Sequence, residues 1–211
     1  MRRGDLLFVV IILMCLFLSF FVYASDGFTN SDKVVPRISK TTPMRNHFTN
    51  GSDFSVKYSE DDLKEIKLNI DHQNITKTDC LPGRNQICNF EIDLSAHDNQ
   101  ELIYYFTAED QSGNIGFSKT TQVFVDTTTP IIENISYFVT NKRIDIIITF
   151  IEENLYKIEY LDNQNSRPKW TNFCTHGIGR CEKKFTFKGG DGPDLTIRIT
   201  DKAGNRFERH I

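Results

Sequence analysis

Three groups of residues in this chain could do chemistry. The first is a set of carboxylates: Glu60, Asp61, Asp62, Asp110, Asp126, Glu152, Glu153 and Asp201. It is the only oxygen-rich constellation, and oxygen ligands are what a hard cation such as Ca²⁺ requires. No calcium-loop spacing is present, so the first expectation is solvated turn carboxylates and no cofactor. A Ca²⁺ site is the alternative, with 60–62 meeting 110–114 at one pole and Asp126 approaching 152–153 or 201. The second group is Cys80, Cys88, Cys174 and Cys181, whose gaps are too long for a zinc knuckle. An even cysteine count in an exported segment reads as disulfides. The third is Trp170 with Phe173, a candidate contact patch because Trp is enriched at binding hot spots. The competing expectation is that Trp170 packs over the open edge of its domain.

No catalytic constellation accompanies them. His47, His72, His97, His176 and His210 are scattered, and none pairs at i, i+4. There is no Gly-x-Ser-x-Gly, no phosphate-binding glycine loop and no dinucleotide fingerprint. The expectation is therefore no enzyme. The formal net charge of −3 leaves no basic stripe for nucleic acid.

The elements that carry these residues are strands. Phe54, Val56 and Tyr58 alternate with polar residues, as do Ile66, Leu68 and Ile70; Phe90, Ile92 and Leu94; and Phe106 with Ala108. Period-2 alternation marks strands with one buried face. The pattern then recurs. Residues 104–114, ending Ala-Glu-Asp-Gln-Ser-Gly-Asn, are matched by 195–205, ending Ile-Thr-Asp-Lys-Ala-Gly-Asn. Ile144–Phe150 matches 54–58, Ile158 and Tyr160 match 66–70, and Phe185 and Phe187 match 90–92. The turns Glu60-Asp61-Asp62-Leu63 and Glu152-Glu153-Asn154-Leu155 also correspond. Repetition in the same order implies two copies of one unit. It also pairs the cysteines as Cys80–Cys88 and Cys174–Cys181, because the pairs fall at matching places. Asp110 and Asp201 are expected to accept backbone bonds in a turn, with Gly-Asn at its tip tolerating positive φ.

The N-terminus differs in kind. Arg2 and Arg3 precede Leu6–Ala24, an uncharged apolar run broken only by Ser19. The run is long for a signal peptide and close to the ~20 residues that span a bilayer as a helix. Val22-Tyr23-Ala24 also offers a small-residue cleavage site. Cys15 lies inside this run and lacks the small residue before it that a lipoprotein site needs. Residues 1–24 are thus a signal peptide or a membrane anchor through 6–24, and 25–33 a polar linker. The rest, outside the cytoplasm, divides into 34–129 and 130–211. Asn50, Asn74 and Asn134 head N-glycosylation triplets.

The strand Tyr104-x-Phe106-x-Ala108-x-Asp110-x-x-Gly113-Asn114, followed by Val123-Phe124-Val125-Asp126-Thr127-Thr128-Thr129-Pro130, resembles tandem prokaryotic Ig-like and fibronectin type III-like surface domains. The resemblance covers about 34–211. It implies an all-β chain of two tandem Ig-like β-sandwiches after an N-terminal hydrophobic helix. The chain lacks a core Trp in the third strand and a cysteine pair across the sheets, which sets it apart from antibody domains. Arg206–Ile211 is also shorter than 115–125, which leaves the last edge of the second sandwich open. The function implied is adhesion, recognition or spacing at a cell surface, with a protein or glycan partner. Two alternatives remain at this stage: an accessory module for carbohydrates, and an envelope assembly subunit held by its N-terminal helix, since Arg3-Gly4-Asp5 resembles the processing site of type IV pilin-like precursors.

Overall fold

The computed structural model describes residues 33–140, 143–186 and 193–211. The expected N-terminal helix and all but the last residue of the 25–33 linker lie outside the described residues. Among the described residues no helix is long and apolar enough to cross a membrane. From Val35 onward the chain is one compact unit with two hydrophobic cores.

The first core lies between two sheets. One is three-stranded, β1 (Arg37–Thr42), β3 (Phe54–Glu60) and β6 (Gly83–Phe90), in the order β1-β3-β6. The other has the order β2-β9-β7-β4-β5, from β2 (Phe48–Thr49), β4 (Leu63–Ile70), β5 (Gln73–Lys77), β7 (Glu101–Asp110) and β9 (Thr121–Val125). A short β8 (Ile115–Phe117) also pairs with β7. The predicted alternation is realised: Phe54, Val56, Tyr58, Ile66, Leu68, Tyr104, Phe106 and Ala108 are all buried. Full burial of side chains this large contributes roughly 1.5–3 kcal/mol each, which commits the register of every strand.

The second core repeats the plan. The sheet β10-β11-β14 is built from β10 (Ile131–Thr140), β11 (Arg143–Ile151) and β14 (Arg180–Thr186). The facing sheet β13-β12-β15-β16 uses β12 (Leu155–Asp162), β13 (Thr171–Cys174), β15 (Leu195–Asp201) and β16 (Arg206–His210). Ile144, Ile146, Ile148, Phe150, Ile158, Ile197 and Ile199 fill it. Even the irregularities repeat. The β1–β3 ladder slips between Ile38 and Lys40, and the β10–β11 ladder slips between Ile132 and Asn134. β16 pairs with β15 from Thr200↔Arg206 to Thr196↔His210, and Leu195 and Ile211 exchange both backbone bonds. The short last strand therefore completes the four-stranded sheet along the length of β15.

Both disulfides form as the repeat implied, Cys80–Cys88 and Cys174–Cys181. Each ties the passage from one sheet to the other, between β5 and β6 and between β13 and β14. Gly83-Arg84-Asn85 opens β6, and Gln73-Asn74 opens β5 after a turn in which Asp71 and His72 take positive φ.

The copies also differ at their first strand. In the first, the chain leaves the β1 sheet at Pro43 and crosses to the other side, where β2 runs parallel to β9. The buried hydroxyl of Tyr104 donates to the Pro43 carbonyl and holds the crossing. In the second, β10 stays in its sheet for ten residues.

Candidate functional site

The junction between the two sandwiches gathers one of two carboxylate clusters; the other lies at the far pole of the first sandwich. β7 and β15 both end in Asp-x-x-Gly-Asn, and both turns close identically. The Asn114 amide donates to Asp110 Oδ1 at 2.8 Å and its Nδ2 to Oδ2 at 2.7 Å; the Asn205 amide and Nδ2 reach Asp201 at 2.9 and 2.8 Å. The glycines, not the asparagines, take positive φ, +85° at Gly113 and +93° at Gly204. The asparagines are spent as clamps on the aspartates. Because each aspartate is the last inward residue of a core strand, it is buried: Asp110 is 0% and Asp201 1% exposed. The expectation of solvated carboxylates fails here for that reason.

The carboxylates sort into two sets whose ligand atoms lie within 4.8 Å of one another: Glu60, Asp62 and Asp110, and Asp126, Glu152 and Asp201. Asp61 and Glu153 are exposed and belong to neither. The second set draws on both sandwiches, since Asp126 follows β9 while Glu152 follows β11 and Asp201 ends β15. Burial pushes the Glu152 carboxyl up, and the charges of Asp201, Asp126 and Glu153 add to this. Asp201 is also raised by burial, with Asp126 contributing. Glu60 rises by burial and by its hydrogen bond with Asp62. Asp110 goes the other way: burial is outweighed by the bonds from Asn114 and the turn amides.

Around the junction set runs a hydrogen-bond web. Asn205 Nδ2 also donates to the Asp126 carbonyl at 2.7 Å, and Asn50 Nδ2 donates to Asn205 Oδ1 at 3.0 Å. Asn154 Nδ2 donates to Asp126 Oδ2 at 2.9 Å, and the Lys202 ammonium lies 5.5 Å from the centre of the Phe48 ring. Asp98 fixes the linker. Its Oδ1 accepts from the Thr127 amide at 2.6 Å and the Thr127 hydroxyl at 2.9 Å, and its Oδ2 accepts from the Thr128 hydroxyl at 2.9 Å. The Thr127 amide is the main reason the Asp98 carboxyl is held low. Charge-assisted bonds of this kind are the stronger ones.

The contact patch is not as the sequence suggested. Phe173 is 5% exposed and belongs to the second core. Trp170 lies over the outer face of the β13-β12-β15-β16 sheet rather than an edge, with the Arg198 guanidinium carbon 3.8 Å from its ring centre. Arg198 is itself fixed by Nε and Nη2 on Glu159 Oε2, at 3.2 and 2.8 Å. Of the glycosylation triplets, Asn74 and Asn134 are exposed on β5 and β10, whereas the Asn50 amide is engaged with Asn205 and with Ser52. The histidines do not converge; His97 meets Asp71 at 3.2 Å and His210 meets Asp194 at 2.9 Å.

No family model matches this chain, and no curated protein does. Among solved structures, the fibronectin(III)-like modules of Clostridium thermocellum CbhA align over 83% of this chain and 91% of theirs, at 11% identity and a TM-score of 0.42. The FN1–FN3 domains of chicken CNTN1 align over 84% of this chain and 67% of theirs, at 10% identity and a TM-score of 0.51. The chain has the tandem Ig-like, fibronectin type III-like fold. At these identities the likeness concerns the fold alone. The fibronectin type III-like sandwiches explain the placement of the junction set: strand ends, turns and linker all meet at the pole between the two domains. Asn50, expected as a glycosylation site, and Asn205, expected at a turn tip, were not foreseen as partners at that pole. Their only signal was the Gly-Asn repeat itself, which makes Asn205 a clamp but does not reveal its partner in the other copy.

Proposed function

We propose that this chain is an exported, non-enzymatic surface protein in which two fibronectin type III-like domains form a stiff spacer that supports adhesion or recognition of a protein or glycan. The observation that carries this reading is the junction. Four side chains, Asn50, Asp98, Asn154 and Asn205, bond across it or onto the linker, where a flexible tether would need none. The two disulfides support export, because such bonds persist in oxidising compartments. The test is NMR relaxation on residues 33–211. One shared correlation time for the two cores is expected; two independent, shorter ones overturn the spacer.

A second reading is that Asp126, Glu152 and Asp201 hold a divalent cation such as Ca²⁺, which would stiffen the junction further. It is supported by the upward shifts of Glu152 and Asp201, a crowding of negative charge that a cation relieves. Thermal unfolding with calcium against a chelator tests it. A higher Tm with calcium that disappears in Glu152→Gln supports the site, and an unchanged Tm refutes it.

A further inference from the structure

The first strands of the two copies part at one position. β1 and β10 share their register and their bulge: Thr41 lies opposite Val56 as Ile135 lies opposite Ile148, and Thr42 opposite Ser55 as Ser136 opposite Ile147. The next residue is Pro43 in the first copy and Tyr137 in the second. Proline has no N–H, and at Pro43 the strand stops and its chain crosses to seal the sandwich against β9. At Tyr137 the strand continues, so β10 remains a sheet edge to Thr140.

Beyond its bulge at 132–134 that edge carries none of the usual protection. Long apolar edges are normally blunted by charge, proline or a bulge, because their unpaired backbone groups recruit other strands. Residues 134–140, Asn-Ile-Ser-Tyr-Phe-Val-Thr, hold no charge and no proline. Tyr137 and Val139 lie opposite Ile146 and Ile144 and so face the core side, yet they are 45% and 44% exposed; Phe138, on the outer face, is 68% exposed. Further back the edge is closed, since Arg209 Nη1 donates to the carbonyls of Ile132 and Glu133 at 3.3 and 3.5 Å. The open stretch is therefore 134–140.

We propose that this edge pairs with the same edge of a second copy, antiparallel about a two-fold axis at Tyr137. The register is self-complementary. Ile135 then lies opposite the second copy's Val139, Tyr137 opposite Tyr137, and Ser136 opposite Phe138, so apolar side chains meet on the core face. Aromatic and β-branched cross-strand pairs are the favourable ones in such ladders. The contact joins two three-stranded sheets into a six-stranded one. Its area is on the order of 1,000 Å², at the low end for specific association, so the dimer dissociates in about the micromolar range.

The experiment is sedimentation velocity on unglycosylated residues 33–211 from about 1 to about 300 µM. Expected are a concentration-dependent dimer for the natural sequence and a monomer throughout for Phe138→Lys, with an unchanged unfolding midpoint. Tyr137→Pro, which gives the second copy the residue of the first, is expected to do the same; if it does not fold, Phe138→Lys decides. A natural sequence that stays monomeric at about 300 µM overturns the proposal, as does a dimer that survives Phe138→Lys.

Discussion

Replacing Asn205 with alanine removes three side-chain bonds at once: to Asp201 Oδ2 at 2.8 Å, to the Asp126 carbonyl at 2.7 Å, and from Asn50 at 3.0 Å. A neutral hydrogen bond contributes about 1 kcal/mol net, and one to a carboxylate about 2 kcal/mol. The sum approaches ~4 kcal/mol, but the site is only part-buried and water replaces some of the loss, so about 2 kcal/mol is expected. Trp170 is the sole tryptophan and sits on the second sandwich, so its fluorescence in a urea titration reads the unfolding of that domain. The contribution that spans the junction is separated by a double-mutant cycle with Asn50→Ala. Asn50 also accepts from Ser52, but that local loss cancels in the cycle. A coupling of about 0.5–1 kcal/mol is expected. Additive single effects would show that Asn50 and Asn205 do not clamp the two domains together, which refutes a stiff junction built on them.

Three further outcomes follow from the same geometry. Arg198→Ala removes the stacking on Trp170 and the bonds to Glu159, and is expected to cost about 1–2 kcal/mol and red-shift the Trp170 emission; an unchanged spectrum contradicts the stacking. Gly51→Ala is expected to lower Tm with a loss of roughly 2–4 kcal/mol, because Gly51 has φ +96° and a Cβ there would stand 2.1 Å from the Ile92 carbonyl oxygen. For Glu152 the folded value lies above the unfolded one, so its charged form opposes folding at neutral pH, and the penalty fades as pH falls through the folded value towards 4.5. Glu152→Gln is therefore expected to be more stable than the natural sequence at pH 7 by a margin that shrinks on acidification; an equal margin at both pH values, read from urea midpoints, counts against it.

Much of this architecture was readable because the chain states it twice. A strand such as Ile144–Phe150 is ambiguous alone, but its match to 54–58 fixes which residues face inward, and the same alignment pairs the cysteines. The acidic turns were located correctly, yet their burial was not. Asp-x-x-Gly-Asn reads as a surface turn, yet its aspartate is the last inward residue of a core strand, and Asp110 and Asp201 are both buried. The crossing at Pro43 was illegible because Met44–Asn50 is polar and irregular, and its two-residue parallel pairing has no periodic signature. Trp170 and Arg198 are remote in sequence, and an outer-face stack leaves no pattern along the chain.

The crossing that distinguishes the first domain also sets how each would respond to tension. β2 and β9 run in the same direction, so pulling the domain by its ends slides one along the other. The bonds Asn46 N–Gln122 O, Phe124 N–His47 O and Asp126 N–Thr49 O are then loaded side by side and must break together. In the second domain β10 pairs with β11 and is tied to β16 through Arg209, with no parallel pair like β2–β9. Under tension the first sandwich, with its parallel pair, is therefore expected to hold to a higher force than the second.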